Sequence, residues 1–92
     1  MNRKKELLTI AQEECAEITQ AISKIFRFGE DNFHPKDKDK VKNINHLETE
    51  IGDLLAVLKF LVDEKHVNDE NIMKAAEAKM IKLEEFMTNK SK

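Results

Sequence analysis

The run Glu50-Ile51-Gly52-Asp53-Leu54-Leu55-Ala56-Val57-Leu58-Lys59-Phe60-Leu61-Val62 contains one polar residue, Lys59, between Leu54 and Val62. As a helix this segment is apolar nearly all round, and such a helix must be covered on every side. Asn45 followed three residues later by Glu48 is a capping-box pattern, so helix two is expected over about 45–65. Two further helices of a chain this short can hardly enclose it. The segment therefore predicts a homo-oligomer, a dimer or a tetramer.

Upstream, Leu7, Ala11, Glu14, Ile18, Ala21, Ile25 and Phe28 recur in steps of four and three, which is one face of a helix. Helix one is expected over about 2–28, with Gly29 as its stop, because only Gly enters the left-handed conformation cheaply. Residues 29–44 form a polar loop around Pro35, longer than a helix hairpin needs. Downstream, Asn68 caps helix three (about 68–88), with Asp69 and Glu70 at the favourable end of its dipole. Met73, Ala76, Met80, Leu83 and Met87 give that helix an apolar stripe.

Composition agrees with an all-α chain, here a short bundle of three main helices completed by oligomerisation. Hydrophobic residues make up 40% and charged residues 37%, with 2 Gly, 1 Pro, no Trp and no Tyr. Helix breakers and strand-favouring aromatics are both scarce. The 92 residues are read as a single domain, 1–92. The 16 basic and 18 acidic residues leave a net charge of −2, so no stable nucleic-acid binding is expected. A lone Cys15 excludes a disulfide framework and fits a reducing, cytoplasmic setting. Glu13 and Glu14 interrupt the basic start before any secretory apolar core, and no stretch approaches the ~20 apolar residues of a membrane span.

Carboxylates intrude on these apolar faces. Glu14 occupies a seam position between Ala11 and Ile18, with Glu17 beside it one turn on. A buried carboxylate is expensive unless a lysine, a hydrogen-bond network or a cation compensates it. Helix two repeats the pattern with Glu50 and Asp53 on one side. Gly52 between them costs ~1 kcal/mol against Ala in a helix interior, which suggests tight space nearby. If the two helices pack antiparallel, both i, i+3 pairs converge. Oxygen ligands without His or Cys suit Mg²⁺, with Mn²⁺ as a substitute.

With Glu13-Glu14-Cys15-Ala16-Glu17 on one helix and Glu50-Ile51-Gly52-Asp53 on the next, the chain resembles the MazG-like all-α nucleoside triphosphate pyrophosphohydrolases. Ile22 through Gly29, His46-Leu47 and Gly52 through Leu58 extend the likeness to small phage-encoded and bacterial members, over most of residues 6–87. The resemblance implies a Mg²⁺-dependent enzyme that cleaves nucleoside triphosphates to monophosphate and pyrophosphate. It implies that Glu14, Glu17, Glu50 and Asp53 hold the metal. Glu13 would assist as a fifth catalytic carboxylate, binding a further ion or orienting the attacking water. Lys79 lies where family members place a basic phosphate contact. Lys82, one turn later, and Lys24 and Arg27, at the end of helix one, are further candidates to bind substrate.

One departure stands out: the segment between Glu17 and Glu50 is longer than in many members, and the excess falls in the loop, where Phe33 and His34 could stack on a base or simply anchor the chain. The competing reading is a non-catalytic helical oligomer, an assembly or regulatory module whose acidic residues pair with lysines.

Overall fold

A computed structural model describes residues 2–87. The element order is α1 (Arg3–Phe28), α2 (Asn43–Asp63) and α3 (Asp69–Phe86), with no strand among the described residues. The expectation of an all-α chain of three helices is met. Among the described residues no helix is long and apolar enough to cross a membrane.

Local chemistry sets the helix ends. Asn2 Oδ1 accepts the Lys5 N–H at 2.8 Å and starts α1. Gly29, at φ 93°, stops it with its N–H on the Ile25 carbonyl. Asn68 caps α3 through the Asn71 N–H, as expected. Helix two departs from expectation. It begins at Asn43, not Asn45, after Lys42, which makes no side-chain cap. Asn45 donates its side-chain amide to Glu48 Oε1 instead of capping a backbone N–H. The helix also ends at Asp63, two residues early. Lys65 takes the left-handed conformation at φ 62°, and the N–H groups of His66 and Lys65 return to the carbonyls of Leu61 and Val62. That is a Schellman closure with lysine where glycine is usual. The expected end of helix three at residue 88 lies outside the described residues.

The two long helices are antiparallel, because each end of one is tied to the opposite end of the other. Arg3 makes a two-pronged ion pair to Glu64 at 2.7–2.9 Å. At the far end the Asn43 side chain donates to the Gly29 carbonyl. Between these ties the core is small: Leu7, Val57 and Leu61 are buried, with Ala11 against them, and Ala21 is buried further along α1.

No residue of α3 is buried. Phe86 is 79% exposed, Met80 68% and Ile81 64%. On α2, Leu55 and Phe60 also face outward. The chain measures 42 × 40 × 15 Å and exposes 7807 Å², whereas a compact monomer of its mass exposes about 5,500 Å². The all-round apolar character of helix two is therefore uncovered on its outer side within one chain.

Candidate metal centre

Antiparallel packing of α1 on α2 brings Glu14, on the inward seam of α1, opposite Glu50 and Asp53 on α2. One carboxylate oxygen from each lies within 4.8 Å of the others. Glu14 and Glu50 are half-buried and Asp53 is exposed. The seam follows its spacing as far as Ile25: Leu7 and Ala21 are buried, and Ala11, Glu14, Ile18 and Ile25 are half-buried, whereas Phe28, at the end of the helix, is exposed.

Glu14 carries the strain of the arrangement. Its Oε2 is buried and has no hydrogen-bond partner. Its pKa is raised above the ordinary carboxylate value, first by desolvation and then by the negative charges of Asp53, Glu50 and Glu17. A hydrogen bond between the Glu14 and Glu50 carboxyls also favours the protonated form. Such a bond exists only while one of the two holds a proton, since ionised carboxylates are acceptors alone. None of the ion pairs among the described residues involves Glu13, Glu14, Glu17, Glu50 or Asp53. The cluster thus lacks the lysines that would neutralise a structural acidic patch. What compensates three converging carboxylates in that setting is a proton or a cation.

The remaining candidates are spread around this trio. Glu17 is exposed and outside it, but lines an adjoining hollow of about 50 Å³ with Gln20, Lys24, Asn43, His46 and Glu50. Glu13 is exposed and also outside the trio. Lys24 borders that hollow and a larger one beside it. Arg27 lays its guanidinium over the Phe28 ring, 4.9 Å from the centroid, at the end of its own helix. Lys79 and Lys82 stand on α3, whose residues are all exposed. Gly52, next to Asp53, is not crowded: a Cβ added there meets nothing within 4 Å. The inference of tight space around it does not hold within one chain.

Asn43 and His46 were not expected at the site. Asn43 is a buried polar residue at the start of α2, and its side-chain amide and backbone N–H donate to the loop carbonyls of Gly29 and Asn32. Because those partners are remote in sequence, only the loop's unusual length hinted at them.

No curated protein and no solved structure matches the chain. The family model described as the MazG nucleotide pyrophosphohydrolase domain matches residues 2–86, which includes all three helices and every carboxylate of the site. The chain belongs to the MazG nucleotide pyrophosphohydrolase domain family.

Proposed function

We propose that the chain is a Mg²⁺-dependent enzyme that hydrolyses ribo- or deoxynucleoside triphosphates to the monophosphate and pyrophosphate, and that it works in the cytoplasm as a homo-oligomer built from a single domain. The observation that carries this reading is the Glu14 carboxylate: inward-facing, partly desolvated, beside Glu50 and Asp53, and with its buried Oε2 unpartnered. A set of hard oxygen donors fits Mg²⁺ or Mn²⁺.

Glu14, Glu50 and Asp53 would hold the cation, with Glu17 completing the set from the next turn of α1. When bound, a divalent cation screens the phosphates, polarises the scissile phosphorus and lowers the pKa of water. Glu13, exposed beside Glu14, would orient the attacking water or hold a further ion. Lys24 would donate to phosphate oxygens, a role supported by its position at the border of the hollow that Glu17 and Glu50 line. Arg27, Lys79 and Lys82 remain candidates for the same role. The two α3 lysines depend on how copies assemble, because α3 is exposed within one chain.

The reading as a non-catalytic assembly module requires the site carboxylates to pair with lysines, and among the described residues the lysine ion pairs run to Asp31, Asp63 and Glu70 and to none of Glu13, Glu14, Glu17, Glu50 or Asp53. The test is product identification. Incubation with a panel of nucleoside triphosphates and Mg²⁺ or Mn²⁺ should release monophosphate and pyrophosphate, and EDTA should stop it. Release of orthophosphate and diphosphate instead would overturn the proposed position of cleavage.

A further inference from the structure

The loop between α1 and α2 encloses a hollow of about 260 Å³, walled on its apolar side by Phe28, Phe33 and Pro35. That volume falls just below the range of sites for whole drug-sized ligands and suits a single heterocycle. Lys24 and Asn43 line this hollow and also the smaller one that holds Glu17 and Glu50. Glu50 in turn belongs to the acidic trio. The loop hollow thus adjoins the one that the carboxylates line. A ligand whose phosphates lie at the acidic end has its other end here.

The polar groups around the hollow are constrained by their own hydrogen bonds. Asn32 is engaged at both ends, donating to the Phe28 carbonyl and accepting the Phe33 N–H. Asn43 donates its backbone N–H to the Asn32 carbonyl at 2.7 Å and its side-chain amide to the Gly29 carbonyl at 2.9 Å. These bonds fix which end of the amide is which. They leave Oδ1, on a residue only 6% exposed, as an acceptor with no donor among the described residues. His34 Nδ1 accepts the Lys36 N–H at 3.0 Å, so its ring proton stands on Nε2 and that nitrogen donates. Among the described residues Lys24 is in no ion pair. One fixed acceptor and two donors remain.

Building on the proposed function, we infer that this loop hollow is the base subsite and that it selects the imide edge shared by uracil and thymine. In that pairing the base N3–H donates to Asn43 Oδ1, and the two flanking carbonyls accept from His34 Nε2–H and from Lys24, which then serves the base and leaves the phosphates to the cation and the other basic candidates. Cytosine and adenine present an amino group beside a ring nitrogen, so an amino donor meets a protein donor. Guanine presents one carbonyl and two N–H groups, one acceptor too few. Phe28 and Phe33 supply aromatic surface for any base and do not discriminate.

Kinetics and binding test this together on the full chain. With Mg²⁺, the kcat/KM for dUTP and dTTP should exceed that for dCTP, dATP and dGTP by ~10-fold or more, the scale of an unmet buried hydrogen bond. The triphosphate of N3-methyldeoxyuridine, which lacks the N3–H, should lose a similar factor on the wild-type chain, mainly in KM. His34→Ala should narrow the preference for dUTP over dCTP. Without metal, dUMP should shift the Asn43 side-chain amide signals in ¹⁵N NMR, and dCMP should shift them far less. Metal-dependent hydrolysis with a flat base profile, or with a preference for dCTP or dATP, would overturn the base assignment and leave the proposed function standing. No hydrolysis of any triphosphate, together with no Mg²⁺ or Mn²⁺ binding, would overturn both.

Discussion

Cutting Phe86 back to alanine should weaken self-association by two to four orders of magnitude. The chain exposes 7807 Å², roughly 2,300 Å² more than a compact monomer of its mass. Two copies that each cover such an excess bury about 4,600 Å² in total, inside the range of obligate homodimers. Phe86, 79% exposed on a helix with no buried residue, is a prime element of that surface. Burying a phenylalanine is worth about 1.5–3 kcal/mol. A symmetric dimer contains the side chain twice, so the loss is about 3–6 kcal/mol and Kd rises ~10²–10⁴-fold. Sedimentation equilibrium over a concentration series reads this directly, with Lys4→Ala, on the exposed start of α1, as a control that should leave Kd unchanged. A wild-type chain that is monomeric and cooperatively folded at high concentration would refute the inference from exposed area. An unchanged Kd for Phe86→Ala, Met80→Ala and Ile81→Ala alike would remove α3 from the interface.

Four further outcomes follow from the same geometry. Glu14→Gln removes a partly desolvated charge that is repelled by Asp53, Glu50 and Glu17, so the metal-free variant should melt higher than wild type while losing activity. Mg²⁺ should raise the wild-type Tm, by the equivalent of ~2.7 kcal/mol at one hundred times Kd, and raise that of Glu14→Gln much less; an equal rise in both would contradict the metal assignment. The Glu64 pKa is held below its ordinary value chiefly by its hydrogen bonds to Arg3. That pair therefore stabilises the fold above the unfolded carboxylate range and is lost as pH falls through the lowered folded-state value. Arg3→Met should show a shallower acid loss of Tm than wild type, and parallel curves would contradict it. Leu61→Ala, at a residue 3% exposed in the small core between α1 and α2, should destabilise by ~2–5 kcal/mol in chemical denaturation.

The residues that report on near neighbours were legible in the sequence. The four-and-three spacing of Leu7, Ala11, Glu14, Ile18 and Ala21 placed Glu14 on the inward seam, and there it lies. Asn68 and Gly29 act through partners within one turn, and both terminate helices as their chemistry predicts. The start of α2 was misread because the bonds that hold it, from Asn43 and Ile44 to Gly29, Glu30 and Asn32, span the whole loop. Asn45 and Glu48 match a cap in one dimension but bond to each other in three. At the site, the i, i+3 spacing suggested two carboxylate pairs, whereas a straight seam admits Glu14 and leaves Glu17 on its flank. The positions of Lys79 and Lys82 relative to the site were not legible, because α3 buries none of its residues within one chain.

Pyrophosphate release by wild type and Glu50→Ala, each with Mg²⁺ and with EDTA, tests the central claim most directly. Wild type with Mg²⁺ should release monophosphate and pyrophosphate in equal amounts, EDTA should abolish the release, and Glu50→Ala should be inactive while remaining helical. Undiminished, EDTA-resistant release by Glu50→Ala would contradict the account, because hydrolysis would then depend neither on the acidic trio nor on a cation held there.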